Sequence, residues 1–392
     1  MALSKLQFRS GVNKETTSYS NEGGWFDVDK VRFRSGFPEK IGGWTKQSEN
    51  SFLGTCRSLH PWVALDGSRF VGVGTNRKYY IESGAAFYDI TPVKKTVNLT
   101  NPFTARNANL HNTQVSATDT VIRLVNNTAA SAFAPSGIIK IGSEIITYTG
   151  TSGDTLTGCA RGQEGTTAAV HAGSSNVSSS TIKVSHTDHE ASIGDFVIFS
   201  GATSLGGNIN ASVLNQEYEV SSIIDGNTYQ IQARTVSTIQ SITVSTGLNP
   251  TYLFSSTSDT SSGGAVTLKY LISAGLDTSI FGTGWGAGTF GRGSWNSSAS
   301  ISAPGQALGF WSHDNFGQNL LINSHNGNIY YWQFVNGLES RATALSDLAG
   351  ADGLAPTVSK QVMVSDKDRH TIVFGCDSET DIGVQDPMLI RF

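Results

Sequence analysis

The residues best suited to chemistry form two short charged clusters. One is His186-Thr-Asp-His189-Glu190, and the other is Asp366-Lys-Asp368-Arg369-His370. Imidazole and carboxylate groups are common metal ligands, but two histidines bind one metal most readily when a helix places both on one face. The sequence around the first cluster has no helical pattern, so the choice there is between a metal site and a polar turn. The second cluster is more typical of a solvated turn with an Asp–Arg pair than of an acid–base site.

Other patterns that would support catalysis are weak. The stretch Gly282-Thr-Gly-Trp-Gly-Ala-Gly288 has the glycine content of a dinucleotide loop, but no βαβ pattern surrounds it, which favours a loop of glycine and aromatic residues. Cys56, Cys159 and Cys376 show neither zinc-ligand spacing nor a disulfide framework. A nucleophile elbow and a Walker loop are absent from the sequence. We therefore expect a protein that is not an enzyme and uses no metal or cofactor.

Basic and aromatic residues are interleaved in the N-terminal arm, Met1 to Trp44. Its candidate contact residues are Trp25, Phe26, Arg32, Phe33 and Arg34. Such a mixture can line a nucleic-acid groove, or it can dock aromatic side chains on a neighbouring subunit. Acidic residues nearly balance the positive charge of the arm, and a mixed-sign segment produces little net field. This balance favours an assembly contact.

Two distant segments share one strand pattern. In Phe310 to Phe334, strands Gln318–Asn323 and Asn328–Phe334 are predicted on either side of a turn whose Asn-Gly pair tolerates positive φ angles. Ser68 to Ile90 repeats a strand, a polar turn and a Tyr-Tyr strand. Trp332 is the sixth candidate contact residue, and the two-residue period of a strand places it on one face with Tyr330 and Phe334.

The elements that position these residues are predicted to be short antiparallel strands. Four strands are expected before Pro92: Cys56–Ala64, Arg69–Gly74, Lys78–Ile81 and Phe87–Ile90. Four such strands are typical of one propeller blade. Between Thr96 and Ser262 aromatic residues become fewer and Ser, Thr and Asn more frequent, which indicates two inserted β modules. The predicted fold is all-β, a β-propeller-like body with inserted small β-sandwich or barrel domains. Its segments are 1–95, 96–180, 181–262 and 263–392.

Composition agrees with this fold class. Only 15% of residues are charged and 43 are glycine, so helices should be scarce and tight turns frequent. The net charge of −4 and a pI of about 6.1 argue against a surface that binds nucleic acid throughout, although passing contact with DNA stays open. No signal peptide and no run of about 18 apolar residues is found, so we expect a soluble protein made in a reducing compartment, with no membrane anchor.

Several motifs resemble one family. FRSGVNKETTSYSNEGGWFDVDKVRFRSGFPEKIGGW, FWSHDNFGQNLLINSHNGNIYYW, VSDKDRHTIVFG and DPMLIRF are similar to the tail nozzle (tail tubular) proteins of short-tailed bacteriophages. The stretch IGSEIITYTGTSGDTLTGCARGQEGTTAAVH resembles a small β module of phage virion proteins. The resemblance implies a virion structural protein that forms a ring of six copies below the portal and adaptor and continues the DNA channel. It also implies further blades after Phe392, supplied by a longer chain or by other chains.

Partners follow from the same resemblance. They are other copies of the chain, the portal–adaptor complex, tail fibres or other tail proteins, and the passing genome. The alternative is a tail protein that binds or cleaves host glycans, because Trp285, Trp295, Trp311 and Trp332 could stack on sugars. A glycosidase would need a pair of carboxylates at a cleft, and the sequence singles out no such pair.

Overall fold

The structure is a computed structural model, which describes residues 9–15, 17, 19–43, 45–46, 48–127, 133–236, 251–275, 309–351, 353–365 and 367–392. The chain divides into two compact units, Met1–Glu49 and Asn50–Phe392. Nearly all regular structure is β, which confirms the predicted all-β fold class.

The N-terminal unit contains a single described hairpin, formed by β1 (Val31–Arg34) and β2 (Phe37–Lys40). Its two-residue turn places Ser35 and Gly36 at φ angles of 50° and 86°. Positive φ at both positions defines a hairpin turn whose twist matches that of paired strands. Along β1, half-buried and exposed side chains alternate, as expected for a strand with one covered face.

The first sheet of the larger unit is an antiparallel meander of four strands. They are β3 (Cys56–Val63), β4 (Arg69–Thr75), β5 (Tyr79–Ser83) and β6 (Ala86–Asp89). All four predicted strands are confirmed. Gly72 and Gly74 of β4 explain the Val-Gly pattern: a Cβ atom would lie 2.5 Å from Tyr79 Oη at Gly72 and 2.5 Å from Trp311 Cδ1 at Gly74. Glycine therefore makes room for two aromatic side chains on one face.

The middle of the chain folds into two nested modules. In chain order their elements are β7 (Val93–Thr100), β8 (Phe103–Thr104), β9 (Asn107–Asn109), β10 (Ile122–Arg123), β11 (Gly137–Ile141), β12 (Glu144–Tyr148), β13 (Gly150–Ser152), β14 (Thr155–Thr157), β15 (Ala160–Gln163), β16 (Asn176–Ser179), β17 (Thr181–Ser185), β18 (Phe196–Ser200), α1 (Ala211–Leu214), β19 (Glu217–Glu219), β20 (Ser222–Asp225), β21 (Thr228–Gln232) and β22 (Ala265–Leu271).

The outer module is a sandwich of two four-stranded sheets, β20-β21-β17-β8 and β19-β18-β22-β7. The inner module contains the sheets β10-β14-β13 and β15-β12-β11-β16-β9, and it is inserted between β8 and β17. Each module has its own apolar core, centred on Phe199 and Tyr229 in the outer module and on Ile139 and Tyr148 in the inner one.

This strand pairing differs from the predicted linear order of segments. β7 spans the predicted boundary at residue 95, and it pairs with β22, which lies beyond the boundary at residue 262. The pairing is nested because one sandwich sheet takes strands from both ends of the insertion. Whether segments 96–180 and 181–262 fold as separate units stays a prediction.

Two more sheets follow the modules. The second sheet contains β23 (Trp311–Phe316), β24 (Asn319–Ser324), β25 (Ile329–Trp332) and β26 (Thr343–Ala344). Two 3-10 turns, Phe334–Asn336 and Leu345–Asp347, flank β26. The third sheet contains β27 (Gln361–Val364), β28 (Thr371–Phe374) and β29 (Ile390–Arg391).

The predicted hairpin between β24 and β25 is present, with two corrections. Only Asn326 has a positive φ angle, 61°, while Gly327 is needed because a Cβ there would lie 2.4 Å from Ser324 Oγ. Phe334 is not part of the strand, since β25 ends at Trp332 and Phe334 begins a 3-10 turn. Its ring still packs on Trp332, with centroids 6.3 Å apart.

The three sheets stack face to face. One apolar core lies between the first and second sheets and includes Trp62, Phe70 and Trp332. A second core lies between the second and third sheets and includes Leu321 and Val362. Consecutive small antiparallel meanders packed in this way form a propeller-like body, as predicted.

Candidate functional site

The aromatic candidates of the N-terminal unit are partly covered. The rings of Trp25 and Phe33 lie 6.1 Å apart at an interplanar angle of 59°, and Trp25 forms a backbone bridge with Val12. Phe26 remains 48% exposed, and Phe37 of the turn-proximal β2 is 74% exposed. The structure thus brings Trp25 and Phe33 together and leaves Phe26 accessible.

The basic candidates lie on the other face of β1. Arg32 and Arg34 are exposed, and Arg32 Nε donates to Glu39 Oε2 at 3.1 Å. This hydrogen bond raises the pKa of Arg32 above its ordinary value. Arg32 is therefore already paired with a carboxylate on β2. This pairing agrees with the small net electrostatic field that the sequence predicts for the arm.

Trp332 requires a correction. Its side chain is only 1% exposed, and it packs at the core between the first and second sheets, with the rings of Trp62 and Phe70 each 6.4 Å away. A side chain enclosed in this way by its own chain cannot contact another subunit. Its position in β25 explains this, since Leu320 lies directly opposite in β24 and faces the same core.

The same burial affects the glycan alternative. Trp311 is 5% exposed and its indole N–H donates to the carbonyl oxygen of Thr75, so neither Trp311 nor Trp332 presents a face to a sugar. Trp285 and Trp295, and the glycine stretch around Trp285, lie outside the described residues.

Beside this aromatic core lies a cluster that the sequence analysis missed. His313 Nδ1 is 2.9 Å from Tyr79 Oη, and His60 Nε2 is 2.6 Å from Asn315 Oδ1. Burial, and then the neighbouring His60, lower the pKa of His313 to about 4. His313 is therefore neutral near pH 7, which suits a structural hydrogen bond inside the interface. The two residues of each pair lie more than 230 positions apart in the chain, so no sequence motif could have indicated this cluster.

A second missed cluster, the ionic junction, joins the first sheet to the outer module. It consists of Lys78, Asp89, Glu217 and Arg341. Lys78 is fully buried; its Nζ contacts Asp89 Oδ2 at 2.6 Å and also pairs with Glu217. Arg341 Nη2 lies 3.2 Å from a carboxylate oxygen of both acids.

The electrostatics of the ionic junction are set by its two cations. Burial on its own raises the pKa of Asp89, but Lys78 and Arg341 outweigh burial and hold that pKa well below its ordinary value. Lys78 Nζ also lies 4.8 Å from the centroid of the Phe196 ring. Asp89 is thus ionised, and the ion pairs of this largely buried cluster join the outer module to the first sheet. A lysine directly before the Tyr-Tyr strand was the only hint in the sequence.

The inner module has a comparable centre at Glu144. Arg161 donates to both carboxylate oxygens, at 2.8 and 2.7 Å, and His171 Nε2 lies 2.6 Å from Oε2. The backbone N–H groups of Gly162 and Ala169 donate as well. Although burial opposes ionisation, the Arg161 hydrogen bonds and the other donors lower the pKa of Glu144 to about 2. Glu144 is therefore a buried anion that ties β12 to β15 and to the segment that follows β15.

The predicted His186–Glu190 cluster forms a turn. His186 Nδ1 lies 2.7 Å from Tyr270 Oη, and His189 Nε2 lies 2.8 Å from the carbonyl oxygen of Asp225. The two imidazoles thus have separate partners in the outer module. Within the described ranges, no group of three or more His, Cys, Asp or Glu side chains is placed to hold a metal ion.

The second charged cluster is also a turn. The backbone N–H of Arg369 donates to Ser365 O, and the N–H of Ser365 donates to His370 O. Asp366 lies outside the described residues. In the part of the chain that the structure describes, no helix is long and apolar enough to cross a membrane.

Comparisons with known proteins do not identify a family for this chain. No protein-family model matches the chain, and no curated protein matches it. Among solved structures the chain is similar to the phage phi92 endosialidase, at 10% sequence identity and a TM-score of 0.15. The match covers 83% of this chain and 44% of the endosialidase, so the chain spans less than half the length of that protein. A similarity of this size carries no argument about activity.

Proposed function

We propose that the protein is a structural, non-catalytic component of a bacteriophage tail: a nozzle subunit that forms a ring below the portal and adaptor. The observation that carries the proposal is the propeller-like body of three stacked sheets, in which the first sheet exposes apolar side chains such as Leu59 and Val63. Exposed apolar surface of this kind is typical of proteins that function in an assembly. The motifs that resemble nozzle proteins point to the same assembly.

The use of the charged groups supports a structural role. Lys78 and Glu144 are buried in ion pairs, and the imidazoles of His171 and His313 bond to neighbouring side chains. These contacts hold sheets and loops in place. These four groups therefore contribute to the rigidity of the fold.

The charge balance suits a conduit for DNA. A wall rich in Lys and Arg would retain phosphates because binding releases the counterions of the DNA. The chain has a net charge of −4, and exposed Arg32 is paired with Glu39. A weakly acidic ring would let the genome slide during ejection, with passing contacts only.

The test is reconstitution with the portal–adaptor complex. The purified full chain is mixed with that complex and imaged by electron microscopy, and we expect a ring docked on the same axis. A chain that neither forms rings nor binds the complex would contradict the proposal. Binding or cleavage of host envelope polysaccharide by such a chain would support the glycan-directed alternative instead.

The N-terminal arm provides a matched comparison. Deleting Met1 to Lys40 removes the exposed Phe26 and Phe37 together with the basic hairpin. We expect a folded subunit that forms fewer rings, measured by light scattering with and without the portal–adaptor complex. If the shortened chain docks as well as the full chain, the arm is not an assembly element, and Arg32 and Arg34 would be reconsidered as DNA contacts.

A further inference from the structure

A cleft of about 600 Å³ lies between the inner and outer modules. Strands β11 and β16 of the inner module form its first wall. Ile139 and Ile141 of β11 enter the core of the inner module, which places Lys140 on the outer face of the sheet. Ser178 of β16 lies directly opposite Lys140, and both residues line the cleft. Its volume is that of a site for a small organic ligand rather than for a single ion.

The second wall of the cleft is a segment of the outer module around Asn208 and Phe254. Asn208 Nδ2 donates to the carbonyl oxygen of Phe254 at 3.0 Å, and the backbone N–H of Asn208 donates to Asp259 Oδ2 at 3.0 Å. The N–H of Ser255 donates to the carbonyl oxygen of Ser179 at the end of β16, which ties the second wall to the first. The cleft is therefore formed before any ligand binds, so binding requires little ordering of the chain.

Lys140 gives the cleft its charge. Its ammonium lies 5.8 Å from the centroid of the Phe254 ring, and it forms no ion pair or hydrogen bond with any residue that the structure describes. No Asp or Glu side chain lines the described part of the cleft. Glu144 contacts the cleft residue His171 but is itself paired with Arg161. An unpaired cation in a partly enclosed cleft favours an anionic ligand, because the attraction is stronger there than in open water.

Neutral polar groups accompany the lysine. Ser178 Oγ accepts hydrogen bonds from Asn107 Nδ2 at 3.1 Å and from Asn176 Nδ2 at 2.9 Å, so its own O–H has no acceptor among the described residues. His171 uses Nε2 for Glu144, and its Nδ1 likewise has no partner in the described ranges. Ser178, Asn176 and His171 all line the cleft. Such groups suit the hydroxyl groups of a ligand, which also donate and accept.

We propose that the cleft binds an acidic saccharide, whose carboxylate pairs with Lys140 and whose hydroxyl groups bond to Asn176 and Ser178. A phosphate ligand is matched less well, because phosphate sites usually combine several cations or a bidentate arginine. Among the described residues, Lys140 is the one Lys or Arg that lines the cleft. The inference goes beyond the proposed ring and does not depend on it, since it assigns recognition of a ligand to the inserted modules.

The experiment uses the full chain and three tetrasaccharides that differ only at the sixth carbon of each sugar. They are cellotetraose, its form oxidised to the carboxylate and its form carrying a phosphate. Isothermal titration calorimetry at one ionic strength gives the dissociation constant of each. Lys140→Met removes the ammonium and keeps the length of the side chain. Lys269→Met is the matched control, because Lys269 is an exposed residue of β22, whose sheet contributes no residue to the cleft.

Melting curves first establish that the variants are folded. We expect the carboxylate form to bind the unmodified chain about tenfold more tightly than cellotetraose, the scale of one charge-assisted contact. Lys140→Met should lose this preference, and Lys269→Met should keep it. A further variant, Ser178→Ala, should weaken the binding of all three saccharides, because the hydroxyl that it removes does not distinguish their charges.

Three results would overturn the inference. They are the absence of binding by the carboxylate form, a preference for that form that survives in Lys140→Met, and tighter binding of the phosphate form than of the carboxylate form. None of them bears on the proposed ring, because ring formation is measured separately with the portal–adaptor complex.

Discussion

Two interfaces within the larger unit are built on opposite principles. The first and second sheets meet through aromatic rings, among them Trp62, Phe70 and Trp332. The first sheet and the outer module meet through the ionic junction, in which fully buried Lys78 contacts Asp89 and Glu217. When a side chain in an apolar contact is truncated, the loss in the free energy of unfolding grows with the volume removed. When one partner of a buried ion pair is removed, the other is left as an uncompensated charge. The comparison predicts different responses to conservative substitutions at the two interfaces.

A large effect is expected at the ionic junction. Lys78→Met keeps the length of the side chain but leaves Asp89 and Glu217 with Arg341 as their one remaining cation in the junction. We expect the free energy of unfolding to fall by roughly 3–5 kcal/mol, the usual cost of breaking a buried pair. Urea unfolding followed by circular dichroism measures this change.

Lys95 is the matched control for this prediction. Its ammonium lies 3.8 Å from Glu190, whose side chain is 65% exposed. Lys95→Met should therefore cost less than about 1 kcal/mol, as exposed ion pairs usually do. Equal, small losses for both variants would show that the junction is not desolvated.

At the aromatic interface the loss should depend on volume. Trp332→Ala should cost roughly 3–5 kcal/mol, the scale of emptying a buried aromatic site. Trp332→Phe should cost less than about 1.5 kcal/mol, because the indole N–H has no hydrogen-bond partner among the described residues and its removal relieves an unsatisfied donor. Melting curves of both variants test this, and a Phe variant as unstable as the Ala variant would contradict it.

A further effect should appear as a pH dependence of the inner module. The pKa of Glu144 is about 2 in the folded chain against an ordinary value of 4.5. A carboxylate with a lowered folded pKa stabilises the fold above its unfolded pKa, and this contribution disappears as the pH falls through the folded value. Between about pH 5 and pH 2 the unmodified chain should therefore lose about 3 kcal/mol more than Glu144→Gln.

Urea unfolding at several pH values measures the difference. Parallel curves for the unmodified chain and Glu144→Gln would show that Glu144 does not carry the acid sensitivity. Arg161 and His171 face the same carboxylate, so Arg161→Gln provides a second comparison in which the pKa of Glu144 should move back toward 4.5.

The local sequence pattern was sufficient to predict the strands but not the contacts among them. The four strands of the first sheet followed from alternation and turn residues, and so did β24 with its Asn326-Gly327 turn. Composition also indicated the inserted modules. Their nesting was not predictable, because the pairing of Val97 with Leu268 joins strands that local sequence cannot relate.

The same limit explains the errors on the candidate residues. The sequence of an aromatic strand such as Tyr330-Tyr331-Trp332 is the same whether one face packs on another subunit or on another sheet of the same chain. The structure shows that Trp332 packs on another sheet of its own chain. The ionic junction brings Lys78 within reach of Glu217, 139 positions away. Such clusters have no spacing motif, since tertiary packing alone brings them together.

The central claim is that the chain functions as a subunit of a ring. Native mass spectrometry of the full chain with the portal–adaptor complex tests it most directly. We expect one discrete assembly whose added mass is an integer multiple of 41.6 kDa, close to six copies. A single copy bound per complex, or no binding at any protein concentration, would contradict the claim.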